Sequence, residues 1–195
     1  MCMPLLFKGN ARGYFAAAAM GVAAGLLAAV LSLLPHGTLW SFSSFGSGTI
    51  GFWMFSTSTI VLLSASPRVA AANSGIYVVL MFAVTGIFKT LRLIYSEYYF
   101  TSGFLSMAAD LLLYSVIPGL VCSALGAVLW YGREGGRLSR LLLAAPLIVT
   151  AAEAAVMFFR VAAEGTMLFQ AVLDTGCAAV YLFIFRRGLF GLKKE

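Results

Sequence analysis

The stretch Gly13–Pro67, GYFAAAAMGVAAGLLAAVLSLLPHGTLWSFSSFGSGTIGFWMFSTSTIVLLSASP, contains no charged residue. A helix needs about 20 consecutive apolar residues to cross the hydrocarbon core of a bilayer, so this run has room for two spans. Pro35-His36-Gly37 closes the first, and the Ser/Gly-rich segment 41–48 leads into the second. Two further charge-free runs, Val69–Phe88 and Leu111–Gly132, are each long enough for another. The whole chain has the same character: 195 residues, 62% hydrophobic and 10% charged, with a mean hydropathy of +0.97. A soluble domain carries about 25% charged residues to cover its surface, so this composition excludes one.

The pattern predicts an all-α fold, a polytopic transmembrane helix bundle forming one integral membrane domain over residues 1–195. Six spans are expected, at 13–34, 49–66, 75–94, 109–131, 138–159 and 168–186. Ser66-Pro67-Arg68 and Asn73-Ser74-Gly75 are expected to bracket a turn before the third span. Gly132-Arg133-Glu134-Gly135-Gly136-Arg137 reads as a loop before the fifth, and Pro118 and Pro146 as kinks in the fourth and fifth. The apolar run from Gly13 to Leu34 exceeds the core of a cleaved signal peptide, so the first span is expected to be retained.

Of the 13 lysines and arginines, Lys8, Arg12, Arg68, Arg133, Arg137, Arg140, Arg186, Arg187, Lys193 and Lys194 fall on the side of the N-terminus; Lys89, Arg92 and Arg160 fall on the other. Such asymmetry predicts a multi-pass protein of the cell membrane with both termini cytoplasmic. The net charge of +6 therefore reports topology, and no nucleic-acid partner is expected. Trp40 and Phe42, then Tyr95, Tyr98, Tyr99 and Phe100, suit an aromatic belt at the outer interface. The loops His36–Gly48 and Tyr95–Met107 could instead cover a pocket as a lid or stacking platform.

Lys89, Glu153 and Asp174 interrupt apolar sequence, and leaving all three charged and unpaired in hydrocarbon costs about 8–10 kcal/mol. With the orientation above, they share one depth with Arg92, Asp110 and Arg160. Helical spacing gives each span a polar stripe: Thr85, Lys89 and Arg92; Asp110 and Tyr114; Glu153 and Arg160; Gln170, Asp174, Cys177 and Tyr181. Two readings follow. Three cations and three anions can form a closed, self-neutralising salt-bridge network. Alternatively, Lys89, Arg92 and Arg160, with Asp110, Tyr114, Glu153 and Asp174, line an outward-facing cavity for a small anionic or zwitterionic ligand.

Chemistry-bearing motifs are absent. Gly46-Ser47-Gly48 lacks the strand–turn–helix setting of a serine nucleophile, His36 is the only histidine, and no HExxH or paired acidic motif occurs. Cys2, Cys122 and Cys177 have no metal-binding spacing. No enzymatic activity, metal or cofactor is expected.

Ala17, Gly21, Gly25 and Ala29 recur every four residues on one face of the first span, as Gly119, Ser123 and Ala127 do on the fourth. Such stripes allow close helix approach, either within the bundle or against another membrane subunit. Ala19-Met20-Gly21-Val22-Ala23 also fits an AxxxA motif. In this, and in its size, basicity and six expected spans, the chain resembles the substrate-binding S-components of energy-coupling factor transporters. The resemblance implies a substrate cavity near the outer face and a coupling subunit docked on the first helix.

Overall fold

The computed structural model describes residues 6–35, 37–45, 50–95, 104–133 and 137–191. Cys2, His36, Gly46-Ser47-Gly48, Tyr98–Phe100, Glu134–Gly136, Lys193 and Lys194, all named above, lie outside the described residues. Among the described residues six α-helices follow one another: α1 (Ala11–Leu31), α2 (Ile50–Leu62), α3 (Pro67–Tyr95), α4 (Phe104–Trp130), α5 (Arg137–Glu164) and α6 (Leu168–Gly191). The chain is all-α. Four segments are long and apolar enough to cross a membrane: Ala11–Leu31, Pro67–Arg92, Ala108–Arg133 and Leu138–Glu164. Leu120, Ile148, Phe159 and many other large apolar side chains stand exposed along them. A soluble protein does not display such faces; this is the surface of an integral membrane protein.

The helices alternate in direction. At one end, Phe7 pairs with the turn after α2, through Phe7 N–H to Leu63 O at 3.2 Å and Ala65 N–H to Phe7 O at 3.0 Å. Trp130 Nε1–H and Arg133 Nη1–H, just past α4, donate to Ser64 O at 3.0 and 2.7 Å. The start of α5 joins them through a hydrogen bond from Ser139 Oγ to Gly132 O. At the other end, Arg92 on α3 donates to Ser32 O past α1 at 3.2 Å. The chain after α1 bonds to the start of α6, Leu168 N–H to Leu39 O at 2.9 Å and Phe169 N–H to Trp40 O at 3.4 Å. The start of α1 and the later part of α6 therefore share one end. The flanks of that end hold Lys8, Arg12, Arg68, Arg133, Arg137, Arg140, Arg186 and Arg187, so it is called the basic end below.

Two boundaries differ from expectation, and both matter for the site. Asn73-Ser74-Gly75 is not a turn. Helix α3 begins at Pro67, a residue suited to the first helical position because its missing N–H has no intrahelical partner there. Ser66 caps this end, its Oγ accepting from Val69 N–H at 3.3 Å. The small polar residues then sit inside the helix and face α4: Ser74 Oγ donates to Cys122 O at 3.1 Å, and Gly75 lies against Ser123 and Gly119. Secondly, α2 as described, Ile50–Leu62, is 13 residues, about 20 Å, which is short of a hydrocarbon core about 30 Å thick.

Small residues set the packing. A Cβ on Gly21 would lie 2.5 Å from Tyr77 O, and one on Gly25 2.6 Å from Met81 O, so α1 meets the α3 backbone directly. Ala17 and Ala29 are buried along the same face. The Ala17/Gly21/Gly25/Ala29 stripe thus lies along the face of α1 that meets α3. A core of Phe7, Ala17, Ile60, Val69, Tyr77, Val78 and Met81 joins α1, α2 and α3. A second cluster of Leu62, Leu143 and Tyr181 joins α2, α5 and α6. The short helix α2 touches α3, α4, α5 and α6, and so stands at the centre.

Candidate functional site

The site forms at the N-terminus of α2. The first turn of any helix presents N–H groups without intrahelical partners and a partial positive charge of about +0.5. Here a carboxylate from α5 meets them. Ile50 N–H donates to Glu153 Oε1 at 2.8 Å, and Gly51 N–H donates to Glu153 Oε2. Thr150, one turn before Glu153, donates to Pro146 O at 2.8 Å and to Gly51 O at 3.5 Å. The opposite end of α2 carries the complementary charge, the Arg133 guanidinium on Ser64 O, stacked 5.6 Å above the Trp130 ring. A half-length helix in the middle of the bundle is therefore charge-capped at both ends.

Asp174, on α6, reaches the same turn. A Cβ on Gly51 would lie 2.6 Å from Asp174 Oδ1, 2.8 Å from its Cγ and 2.9 Å from Glu153 Oε2. Only glycine leaves room for both carboxylates. Asp174 is fully buried; Phe52 N–H of the same turn faces its carboxylate, but neither oxygen makes a hydrogen bond of full geometry and no side chain pairs with it. Gln170, one turn earlier on the same face of α6, is also fully buried, and both its amide oxygen and its amide nitrogen lack partners. Farther along that face Cys177 is buried, and Tyr181 is buried with an unpartnered hydroxyl. The stripe Gln170, Asp174, Cys177 and Tyr181 thus faces the interior along its length, as its spacing predicts.

Aromatic rings close the site toward the end opposite the basic one. Phe45 packs against Phe52, Trp53 and Phe169 with centroids 5.2, 5.3 and 6.0 Å apart; Phe42 packs on Phe169 at 4.8 Å and stacks on Trp40 at 5.8 Å. The segment carrying Trp40, Phe42 and Phe45 is held by a tight turn. Ser41 adopts a left-handed conformation, φ 41°, with its N–H bonded to Thr38 Oγ1 at 3.2 Å and its Oγ to Thr38 O at 2.5 Å. Of the two loops read as belt or lid, this one lies folded over the start of α6. Most of the other falls outside the described residues.

The remaining residues expected at the site are elsewhere. Lys89 and Arg92 are exposed on α3, Arg160 is exposed on α5, and Asp110 and Tyr114 are exposed on α4, Tyr114 by 75%. Helix length explains the cations. Lys89 lies 22 residues beyond Pro67, about 33 Å along the axis, and Arg160 lies 23 residues beyond Arg137, about 35 Å. Both distances exceed a hydrocarbon core about 30 Å thick, so each helix is long enough to carry its cation to the edge. Glu153 is 16 residues beyond Arg137, about 24 Å, and Asp174 only 6 beyond Leu168, about 9 Å from the other end; both remain inside. The expected cluster separates into a buried Asp174 beside a half-buried Glu153, and exposed charges at Lys89, Arg92, Asp110 and Arg160. Among the described residues the expected salt-bridge network is not seen: Arg92 bonds a backbone carbonyl, Glu153 bonds backbone N–H groups, and Asp174 pairs with no cation. Among the described residues, no group of three or more His, Cys, Asp or Glu is placed to hold a metal ion.

Sequence reasoning missed Gly51 and the capping role of Glu153. A glycine at the head of an apolar run was the available signal, but a contact spanning about a hundred residues leaves no local trace. Searches of family models, curated proteins and solved structures found no match to this chain.

Proposed function

We propose that this chain is a six-helix, multi-pass protein of the cell membrane, with its basic end cytoplasmic, that binds a small solute at Asp174 and Gln170 in the outer half of the bilayer as part of a transport process. The orientation follows from the gathering of lysine and arginine at the end that holds the start of α1 and the later part of α6. One observation carries the binding site. Four side-chain polar atoms, on two adjacent and fully buried residues of α6, have no partner. A polar cluster kept only for stability satisfies its atoms, because each orphan group costs about 1–3 kcal/mol. Open valences beside a carboxylate already bonded to backbone N–H groups, Glu153, are what a binding site offers. Transport fits the enclosure: aromatic rings lie on one side of the pair, and the apolar cluster of Leu62, Leu143 and Tyr181 lies on the other.

The exposed positions of Lys89, Arg92 and Arg160 move the preferred ligand from an anion toward a cationic or hydrogen-bond-donating group. A coupling subunit of the energy-coupling factor type would be received on Ala19 and Ala23, which are exposed one turn apart on α1. Native mass spectrometry of the detergent-purified protein tests the site. A retained small molecule that survives Lys89→Ala and is lost in Asp174→Asn supports the reading. A molecule lost in Lys89→Ala and kept in Asp174→Asn overturns it.

A further inference from the structure

We infer that the solute recognised at this site, on the reading above, is a small monovalent inorganic cation, Na⁺ or K⁺, held by the carboxylate of Asp174 and the amide oxygen of Gln170. Charge decides the valence. Glu153 is one of two carboxylates at Gly51, but both its oxygens already accept backbone N–H groups at the positive end of α2. Asp174 faces the same turn of α2, with Phe52 N–H toward it, but is paired with no cation, so a single positive charge balances it when it is ionised. A divalent ion such as Ca²⁺ takes six to eight oxygens, with several carboxylates among them. Among the described residues, no third acidic group joins the pair.

Donor chemistry decides the class. Asp174 and Gln170 are hard oxygen donors one helical turn apart on one face, suited to alkali cations rather than soft metals. The acidic pair alone would not identify a site. The second observation is Gln170, fully buried with neither end of its amide engaged, next to a carboxylate in the same condition. An amide in that position supplies a neutral oxygen, which adds a ligand without adding charge. Gly51 contributes by having no side chain, since any Cβ there would occupy the space of the Asp174 carboxylate.

The test uses the full chain in detergent micelles, with NaCl or KCl exchanged against N-methylglucamine chloride at constant ionic strength. Two readouts are taken. One is the thermal unfolding midpoint, followed by intrinsic fluorescence, to which Trp53 beside the site contributes. The other is the rate at which the hydrophobic reagent dicyclohexylcarbodiimide modifies Asp174, located by peptide mass spectrometry. In the wild type, Na⁺ or K⁺ is expected to raise the midpoint saturably by at least about 3 °C and to slow modification at least about tenfold. Gln170→Leu should raise the cation concentration needed for half-protection about tenfold or more, and Asp174→Asn should abolish the midpoint shift. If Asp174→Asn fails to fold, wild-type modification kinetics decide the matter. Equal rates in Na⁺, K⁺ and N-methylglucamine overturn the inference. Protection by methylammonium chloride but by neither metal ion overturns the cation assignment and leaves the binding reading standing. Protection by none of the three overturns the assignment, and an empty native mass spectrum with it overturns the reading as well.

Discussion

Replacing Glu153 should damage the fold in a graded way that reports its role as the cap of α2. The buried Gly51 N–H loses a charge-assisted acceptor in Glu153→Ala, worth about 1.5–3 kcal/mol. The Ile50 N–H bond, on an exposed residue, adds at most about 1 kcal/mol. The total is about 2–4 kcal/mol. Removing one of two neighbouring carboxylates relieves repulsion with Asp174, which favours the lower half of that range. Glu153→Gln retains one acceptor oxygen and the side-chain shape, and should cost about 1–2 kcal/mol. Equilibrium unfolding in mixed micelles with increasing sodium dodecyl sulfate measures both variants against the wild type. The order wild type, Gln, Ala is expected, with the Ala variant the least stable. If both variants fall within about 0.5 kcal/mol of the wild type, the Glu153–α2 contact does not hold the helix and the reasoning fails.

Other perturbations follow from the same geometry. Gly51→Ala places a methyl against two carboxylates and should destabilise by about 1–3 kcal/mol in the same unfolding assay; a neutral result would show that the pair is not packed on α2. Gly25→Val drives a side chain into Met81 O and should separate α1 from α3, read as loss of a disulfide crosslink between cysteines introduced on facing turns of those helices. Arg133→Ala removes the charged donor on Ser64 O and the stack on Trp130, and should cost about 1–2 kcal/mol, partly recovered by Arg133→Lys. Removing both end caps, Glu153→Gln with Arg133→Ala, should be close to additive, because the two sites lie at opposite ends of α2.

The bundle was legible in the sequence because hydropathy over long runs is a strong signal, and the boundary errors have local causes. Asn73-Ser74-Gly75 carries turn chemistry, yet in a membrane helix the same small polar residues make close helix contacts, as Ser74 does with Cys122. Starting the helix at 75 rather than Pro67 placed Lys89 about two turns too near its start, whereas the structure exposes it near the end of a longer helix. The face of α6 bearing Gln170, Asp174, Cys177 and Tyr181 was readable because a helix repeats every 3.6 residues. Which side chains Asp174 meets was not, since Gly51 and Glu153 come from two other helices. The small-residue stripe on α1 was readable as an interface, while its partner, α3, was fixed only by packing.

The account rests on Asp174 lying enclosed within the bundle while Lys89 lies outside it. Both positions can be compared in a background with Cys2, Cys122 and Cys177 replaced by serine, by measuring how fast a membrane-impermeant maleimide labels Lys89→Cys and Asp174→Cys in proteoliposomes. Rapid labelling at position 89 and slow labelling at 174, accelerated when the detergent-solubilised protein is unfolded, is the predicted result. Labelling of 174 as fast as 89 would contradict it.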